Sequence, residues 1–170
     1  MAQLLQTPVS LLDIHWMSLA LEQAHRAKSI DEVPVGAIVV HQEQVVGLGY
    51  NQLIQLNDPS AHAEMQAIRQ ACHNLKNYRL PGASLYVTLE PCTMCLGVII
   101  HSRIQRLVFA TAEPRAGALI SQAALSFAPY NHSLEFSYGA LADESSELLK
   151  NFFVQRRAQK INQANLKLNI

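Results

Sequence analysis

The feature that most constrains the fold of this chain is an alternation of strand-like and helix-like segments. Residues 35–40 and 45–50 are rich in β-branched residues and are separated by Gln42-Glu43-Gln44, which predicts a hairpin. Further strand-like runs follow at 85–89, 104–110 and 134–138. Strands that alternate with helices predict an α/β sheet covered by helices, and helical connections between the later strands predict that those strands pair in parallel.

The helices are predicted from apolar residues at helical spacing. The first begins at a capping box of Ser10 and Asp13 and runs to about residue 28. The second begins near Ser60, a good N-cap residue. Further helices are predicted at 93–102, 121–125 and about 142–166. Gly47 and Gly49 interrupt the returning strand of the hairpin, which indicates close approach by another element.

The length and composition fit one domain spanning residues 1–170, with 1–9 as a loose leader. The 170 residues are 49% hydrophobic and 15% charged, enough apolar material for a sizeable core. Three cysteines argue against a disulfide framework. There is neither a secretory signal nor an apolar run of membrane-spanning length, so a cytoplasmic protein is expected.

Two short motifs concentrate residues that bind metals and move protons. His62-Ala63-Glu64 lies at a helix start, and Pro91-Cys92-Thr93-Met94-Cys95 joins a strand to a helix. A catalytic zinc site uses three protein ligands and leaves a fourth position for water, which His62, Cys92 and Cys95 would satisfy. The start of a helix also favours thiolates. Glu64 is then available as the proton carrier, provided that the metal lies off the end of its helix.

Two other readings of the cysteine pair are weaker. A redox-active Cys-x-x-Cys would need surrounding features that this sequence lacks. A structural zinc site would need a fourth ligand, and Cys72 lies on the apolar face of its helix, where a buried free thiol is expected. His101 and His132 are expected to be structural.

With these motifs, the chain resembles the bacterial tRNA-specific adenosine deaminases of the cytidine deaminase-like superfamily. The resemblance covers about residues 14–157. It rests on PVGAIVV (34–40), GLGYN (47–51), DPSAHAE (58–64), NYRL (77–80), LYVTLEPCTMC (85–95), IHSRI (100–104) and LADE (141–144). It implies a three-layer α/β/α fold with a central mixed sheet of about five strands.

The resemblance also implies an activity. Zinc, one ion per subunit, would be held by His62, Cys92 and Cys95, with Glu64 as the proton shuttle and Asn51 bonded to the target base. The substrate implied is adenosine at the wobble position of a tRNA anticodon stem-loop, and the product is inosine. Homodimers are implied, with the helix at 93–102 contributing to the interface. A guanine- or cytosine-type deaminase of free bases or nucleotides is the alternative, and a silent RNA-binding subunit is disfavoured because Glu64 is present.

The end of the chain is basic although the net charge is zero. No acidic residue follows Glu147, whereas five basic residues do: Lys150, Arg156, Arg157, Lys160 and Lys167. Phosphate contacts are expected from Lys150, Arg156, Arg157 and Lys160, with Phe152 or Phe153 stacking on a base. Both phenylalanines could instead be core residues. We expect one to be core and the other to be partly exposed.

One segment departs from the family pattern. The loop after strand 104–110 usually carries Asp followed by Lys, and here it reads Glu113-Pro114-Arg115. The RNA contacts of this loop therefore cannot be carried over from the family.

Overall fold

The computed structural model describes residues 3–122 and 130–168, with side chains up to residue 161. In chain order the elements are β1 (Leu4–Gln6), α1 (Leu11–Ser29), β2 (Gly36–His41), β3 (Gln44–Tyr50), α2 (Leu53–Leu56), α3 (Ala63–Leu75), β4 (Ser84–Leu89), α4 (Thr93–His101), β5 (Arg106–Thr111), β6 (Leu134–Tyr138) and α5 (Ala142–Leu168). The short helix predicted at 121–125 falls mostly outside the described residues. Among the helices described, none is long and apolar enough to cross a membrane.

The strands form one mixed sheet in the order β1-β6-β5-β4-β2-β3. Strand β2 is antiparallel to β3 and β4, and the other pairs are parallel. The predicted hairpin and the parallel pairing of the later strands are therefore confirmed. The sheet has six strands rather than about five.

The helices cover both faces of this sheet, which confirms the three-layer α/β/α class. Alternate residues along each strand point to opposite faces. Ile38, Tyr86 and Val108 pack with Met17 and other α1 residues. Their neighbours on the opposite face pack against α3 and α4.

The additional strand is β1, so the expected loose leader is wrong for residues 4–6. Leu4 pairs with Leu134 of β6, and the Thr7 N–H donates to the Phe136 carbonyl at 2.8 Å. The hydroxyls of Thr7 and Ser137 also lie 2.8 Å apart. Three residues are too few for a recognisable strand pattern, and their partner lies about 130 residues away in the sequence.

The two predicted helix starts have different outcomes. Ser10 and Asp13 form the expected capping box at the start of α1. Helix α3 begins at Ala63 with His62 as the N-cap, so the prediction that Ser60 is the N-cap is wrong, whereas the placement of His62 and Glu64 at the helix start is confirmed. The backbone N–H and hydroxyl of Ser60 donate to Asp58 instead, at 2.8 and 2.7 Å. Because of this local turn, His62 rather than Ser60 lies at the helix end.

The glycines of β3 allow α3 to lie directly on the sheet. A Cβ atom at Gly47 would lie 2.2 Å from the Ala67 carbonyl oxygen, and one at Gly49 would lie 2.1 Å from that of Ala63. Neither position can carry a side chain without moving α3. The predicted close approach is confirmed, and it fixes the first turn of α3 relative to the sheet.

Candidate metal centre and active-site cavity

Three metal-binding side chains meet where the N-termini of α3 and α4 converge. His62 is the N-cap of α3 and Cys92 the N-cap of α4, with Cys95 in the first turn of α4. The Nδ1 atom of His62 lies 3.8 Å from Sγ of Cys92 and 3.6 Å from Sγ of Cys95. Within the described residues, these three are the cluster that could hold a metal ion.

The spacing of the donor atoms suits zinc. Zinc lies about 2.3 Å from sulfur and about 2.0–2.1 Å from imidazole nitrogen, and tetrahedral angles then place such donors about 3.6 Å apart. The observed separations of 3.6 and 3.8 Å agree with this value. One imidazole and two sulfurs would therefore fit three corners of a tetrahedral zinc site and leave the fourth position open.

The electrostatics of the two sulfurs favour binding of a cation. A hydrogen bond from Cys95, aided by His62, lowers the pKa of the Cys92 thiol to about 3 against the opposing effect of burial. The same bond to Cys92, together with burial, raises the pKa of Cys95. The Cys92 sulfur is thus the more readily ionised of the two. A divalent cation would displace any remaining thiol proton, because cysteine ligands bind as thiolates.

The carboxyl group of Glu64 is buried beside these donors. Glu64 is 4% exposed, and burial raises the pKa of its carboxyl group. It is the second residue of α3, whereas the metal ligand His62 precedes the helix. The metal cluster therefore lies off the helix end, which is the arrangement that the proton-carrier role requires.

Asn51 links the end of β3 to the start of α3. Its Oδ1 atom accepts the backbone N–H of Ala63 at 2.9 Å. This contact fixes the orientation of the side-chain amide, because only the oxygen can accept a proton. Among the described residues, the NH₂ group has no hydrogen-bond partner. Asn51 also lines a cavity that adjoins His62, Glu64 and Cys92, so a free donor group is available there.

A cavity of about 240 Å³ adjoins the metal cluster at His62 and Cys92. Its lining includes Asn51, His62, Glu64, Cys92 and Glu113, together with apolar residues such as Val33, Val35 and Leu89. Cavities for drug-sized ligands run to roughly 300–1,000 Å³, so this one suits a single base. A flat apolar ring could lie between its walls, with the carboxyl group and the free amide donor beside it.

Comparison with known proteins agrees with this chemistry. A family profile for MafB19-like deaminases matches residues 13–157. The tRNA-specific adenosine deaminase of Haemophilus influenzae is 47% identical over 162 residues, covering 93% of each chain. The chain belongs to the tRNA-specific adenosine deaminase family.

The fold of this chain is also similar to those of solved deaminase structures. A structure from a study of A-to-I editing by tRNA:A34 deaminases has a TM-score of 0.74 at 42% identity, covering 79% of this chain and 99% of that one. A guanine deaminase from Bacillus subtilis has a TM-score of 0.56 at 31% identity, covering 67% and 71%. The deaminase fold is thus shared more widely than one substrate class.

The cavity of this deaminase adjoins a larger groove of about 650 Å³ along α5. Val33, Leu89 and Glu113 line both. One stripe of α5, at helical spacing, supplies the far wall: Ser146, Leu149, Lys150, Phe153, Val154 and Arg157. A ligand in the cavity could therefore continue into a groove with basic and aromatic side chains.

The structure shows which of Phe152 and Phe153 is buried and which is exposed, a choice that the sequence did not determine. Phe153 is 45% exposed and lines the groove, whereas Phe152 is only 4% exposed. The expectation that one phenylalanine is core and the other partly exposed is therefore confirmed, and Phe152 is excluded as a substrate-binding residue because a buried ring cannot stack on a base. Arg156 lies over the Phe152 ring, 5.5 Å from its centre, and is not part of the groove lining. Of the two predicted arginines, Arg157 lines the groove.

The other cysteine and histidines singled out in the sequence lie outside the metal cluster. Cys72 is a partly buried free thiol, 3.6 Å from the Tyr78 carbonyl oxygen. His132 bonds to the Ile104 carbonyl at 2.7 Å, and His101 stacks edge-on with Tyr130. Their structural assignment agrees with these contacts.

Sequence reasoning missed Glu90, the residue before Pro91. It is 3% exposed and belongs to the cavity lining. Burial raises the pKa of its carboxyl group, but hydrogen bonds from Ser121, Ile120 and Glu113 outweigh burial and the pKa is lowered overall. The sequence feature that could have identified Glu90 is a charged residue placed between an apolar strand and Pro91-Cys92. Its hydrogen-bond partners, however, lie 23 to 31 residues further along the chain.

Proposed function

We propose that this protein hydrolyses adenosine to inosine at the wobble position of a tRNA anticodon, with one zinc ion per subunit. The observation that carries the proposal is the arrangement of Glu64 beside the His62, Cys92 and Cys95 cluster, in a base-sized cavity. Hydrolytic deamination needs an activated water and a proton carrier within reach of the same base. The family relatives, named as tRNA-specific adenosine deaminases, support the choice of substrate.

The residues of the cavity divide the chemistry between them. His62, Cys92 and Cys95 would hold the zinc ion, which would supply an activated water at neutral pH. Glu64 takes a proton from that water and delivers it to the ring nitrogen next to the reacting carbon. It then carries the second proton of the same water to the amino group, which leaves as ammonia. The products of adenosine and water are thus inosine and ammonia.

The remaining cavity residues bind and orient the base. The free NH₂ group of Asn51 donates to an acceptor on the ring, and the apolar walls exclude water. A base must leave its stack to enter such a cavity. Anticodon loop bases are already single-stranded, which lowers the cost of this step.

The groove along α5 is suited to the nucleotides that flank the target base. Phe153 offers a ring for stacking, and Lys150 and Arg157 offer charges for phosphates. Arg156 is expected to contribute to phosphate attraction from outside the groove.

Two further parts of the proposal concern the setting of the enzyme. Helix α4 exposes Met94, and Met65, Ile68 and Val98 line a cavity between α3 and α4 that is also lined by three arginines, Arg69, Arg79 and Arg103. Such a surface is suited to a second copy of the chain, so we include a homodimer, which sedimentation analysis would measure. The three free cysteines are consistent with the reducing cytosol as its location.

The deciding experiment uses zinc-loaded protein and a tRNA with adenosine at the first anticodon position. We expect inosine at that position, detected by mass spectrometry of the digested RNA. The matched substrate is the same tRNA with guanosine there, and free guanine and cytidine are assayed in parallel. Absence of inosine with full zinc occupancy, or turnover of the free compounds alone, would contradict the proposal.

A further inference from the structure

Glu90 is a buried carboxylate whose contacts converge on one loop. It follows β4 and stands two residues before Cys92. Its Oε1 atom accepts the backbone N–H groups of Leu119, Ile120 and Ser121 at 3.0, 2.8 and 3.0 Å. Its Oε2 atom accepts the N–H of Glu113 at 3.0 Å and the Ser121 hydroxyl. One side chain therefore holds both ends of the segment 113–121.

Glu90 forms no ion pair within the described part of the chain, where the ion pairs are Arg69–Asp58 and Arg106–Asp13. The Glu90 carboxylate is compensated by backbone N–H groups and one hydroxyl. Such bonds are directional, since each N–H must point at an oxygen from its own place in the loop. The arrangement defines the path of the loop more closely than a flexible ion pair would.

The same loop is attached to the segment that carries the metal ligand. Gly117 forms a β-bridge with Cys92, and the N–H of Ala118 donates to the Pro91 carbonyl at 2.9 Å. A Cβ atom at Gly117 would lie 2.2 Å from Oε2 of Glu90. The loop, the carboxylate and the backbone of Cys92 are thus in direct contact, with no room for an added side chain.

The loop in turn forms part of the cavity wall. Glu113 and Ala116 line the metal cavity, and Glu113 also lines the groove along α5. Movement of the segment 113–121 would therefore alter the wall against which the base is held.

We propose that Glu90 is a positioning residue, which holds the loop 113–121 against the Cys92 segment and so fixes the cavity wall at the boundary with the groove. The role of Glu90 in holding the loop is supported by the hydrogen bonds alone. The consequence for turnover rests on the proposed deamination of tRNA adenosine.

The first measurement is hydrogen–deuterium exchange of the zinc-loaded protein. In Glu90→Gln an NH₂ group replaces one accepting oxygen and cannot accept from both ends of the loop. We expect exchange of the backbone amides in 113–121 to rise by about tenfold or more. Ser121→Ala removes one bond and should give a smaller rise in the same peptides. The matched control is Asp13→Asn, another buried carboxylate changed to an amide, at the opposite end of the parallel strands; it should leave exchange in 113–121 unchanged.

The second measurement is steady-state deamination of the tRNA substrate by the same proteins. We expect kcat of Glu90→Gln to fall roughly 10- to 100-fold with a much smaller change in KM, because the groove residues of α5 are untouched. Asp13→Asn should keep the wild-type kcat. Wild-type exchange in 113–121 for both Glu90→Gln and Ser121→Ala would overturn the proposal, as would a loosened loop with unchanged kcat. If Glu90→Gln does not fold, Ser121→Ala alone decides between these outcomes. Inactive wild-type protein with a loosened loop in the variants would instead contradict the proposed substrate.

Discussion

Oδ1 of Asn51 accepts the backbone N–H of Ala63 at 2.9 Å, joining the end of β3 to the first turn of α3. The bond satisfies an N–H at a helix start whose own N-cap, His62, makes no side-chain capping bond. It also leaves the NH₂ group of Asn51 available to the cavity. One amide thus stabilises the helix that carries Glu64 and offers a donor to the ligand.

These two roles of Asn51 can be separated by substitution. Asn51→Asp keeps an acceptor for Ala63 but loses the NH₂ donor, so we expect near wild-type thermal stability with kcat/KM lowered at least tenfold. Asn51→Ala loses both groups and should also lower the free energy of unfolding by about 1 kcal/mol. Thermal melts and inosine assays measure the two effects. Full activity in Asn51→Asp would exclude base recognition by the NH₂ group.

Glu64→Gln should abolish turnover while leaving the metal bound. The amide keeps the shape of the side chain but cannot accept and return a proton, and general acid–base catalysis contributes about 10²–10⁴-fold. Inosine formation and zinc content are measured on the same preparation. Glu43→Gln, in the exposed turn between β2 and β3, is the matched control and should be fully active. Retained activity in Glu64→Gln would refute the assigned role.

Zinc affinity should fall as the pH is lowered. A hydrogen bond to Cys92 raises the pKa of His62 above its ordinary value of 6.5. Imidazole binds zinc only when neutral, so protons compete for Nδ1 as the pH falls through that raised pKa. Competition with a chromophoric chelator between pH 8 and 5.5 measures this loss. His62→Ala should bind zinc weakly at every pH, with a shallower pH dependence; an unchanged slope would argue against His62 as a ligand.

Phe153 and Arg157 should contribute to RNA binding rather than to chemistry. We expect Phe153→Ala to raise KM for an anticodon stem-loop by roughly 5- to 100-fold, the cost of one lost stacking contact. Arg157→Ala should raise KM and reduce its salt dependence by about one phosphate contact. Arg156→Ala is the neighbouring control and should have a smaller effect on KM. Equal effects of Arg156→Ala and Arg157→Ala would contradict a specific role for the groove.

Phe152→Ala should act through stability instead. Because the Phe152 ring is buried, its removal should lower the free energy of unfolding by about 3–5 kcal/mol. Chemical denaturation measures this loss, for which Phe153→Ala serves as the exposed counterpart.

Asp13 should make stability depend on pH in the acid range. Burial opposes ionisation of Asp13, but hydrogen bonds from Arg106 and Ser10 outweigh it and lower the pKa from 3.8 to about 2. The contribution is therefore fully present above about pH 4 and is lost as the pH falls toward 2. We expect it to amount to about 1–2 kcal/mol after solvent screening. Urea denaturation should show the difference between wild type and Asp13→Asn shrinking over this range; a constant difference would exclude the linkage.

The sequence by itself determined the parts that depend on local spacing and residue chemistry. A single turn of helix brings Cys92 and Cys95 together, and two thiols with one imidazole form a donor set that suits a divalent metal such as zinc. Alternating strand and helix patterns likewise predicted the layered sheet, since each element buries its own apolar face.

Only the tertiary structure decided the features that depend on partners far along the chain. Strand β1 exists because β6 offers it an edge, and the N-cap of α3 shifted because Ser60 bonds to Asp58. Phe152 and Phe153 are adjacent residues of the same type. Their exposure differs because helix packing buries only one face of α5. The position of the Glu90 carboxylate is set by backbone N–H groups of the loop 113–121. Backbone donors carry no residue-specific signal, so these contacts cannot be read from the sequence.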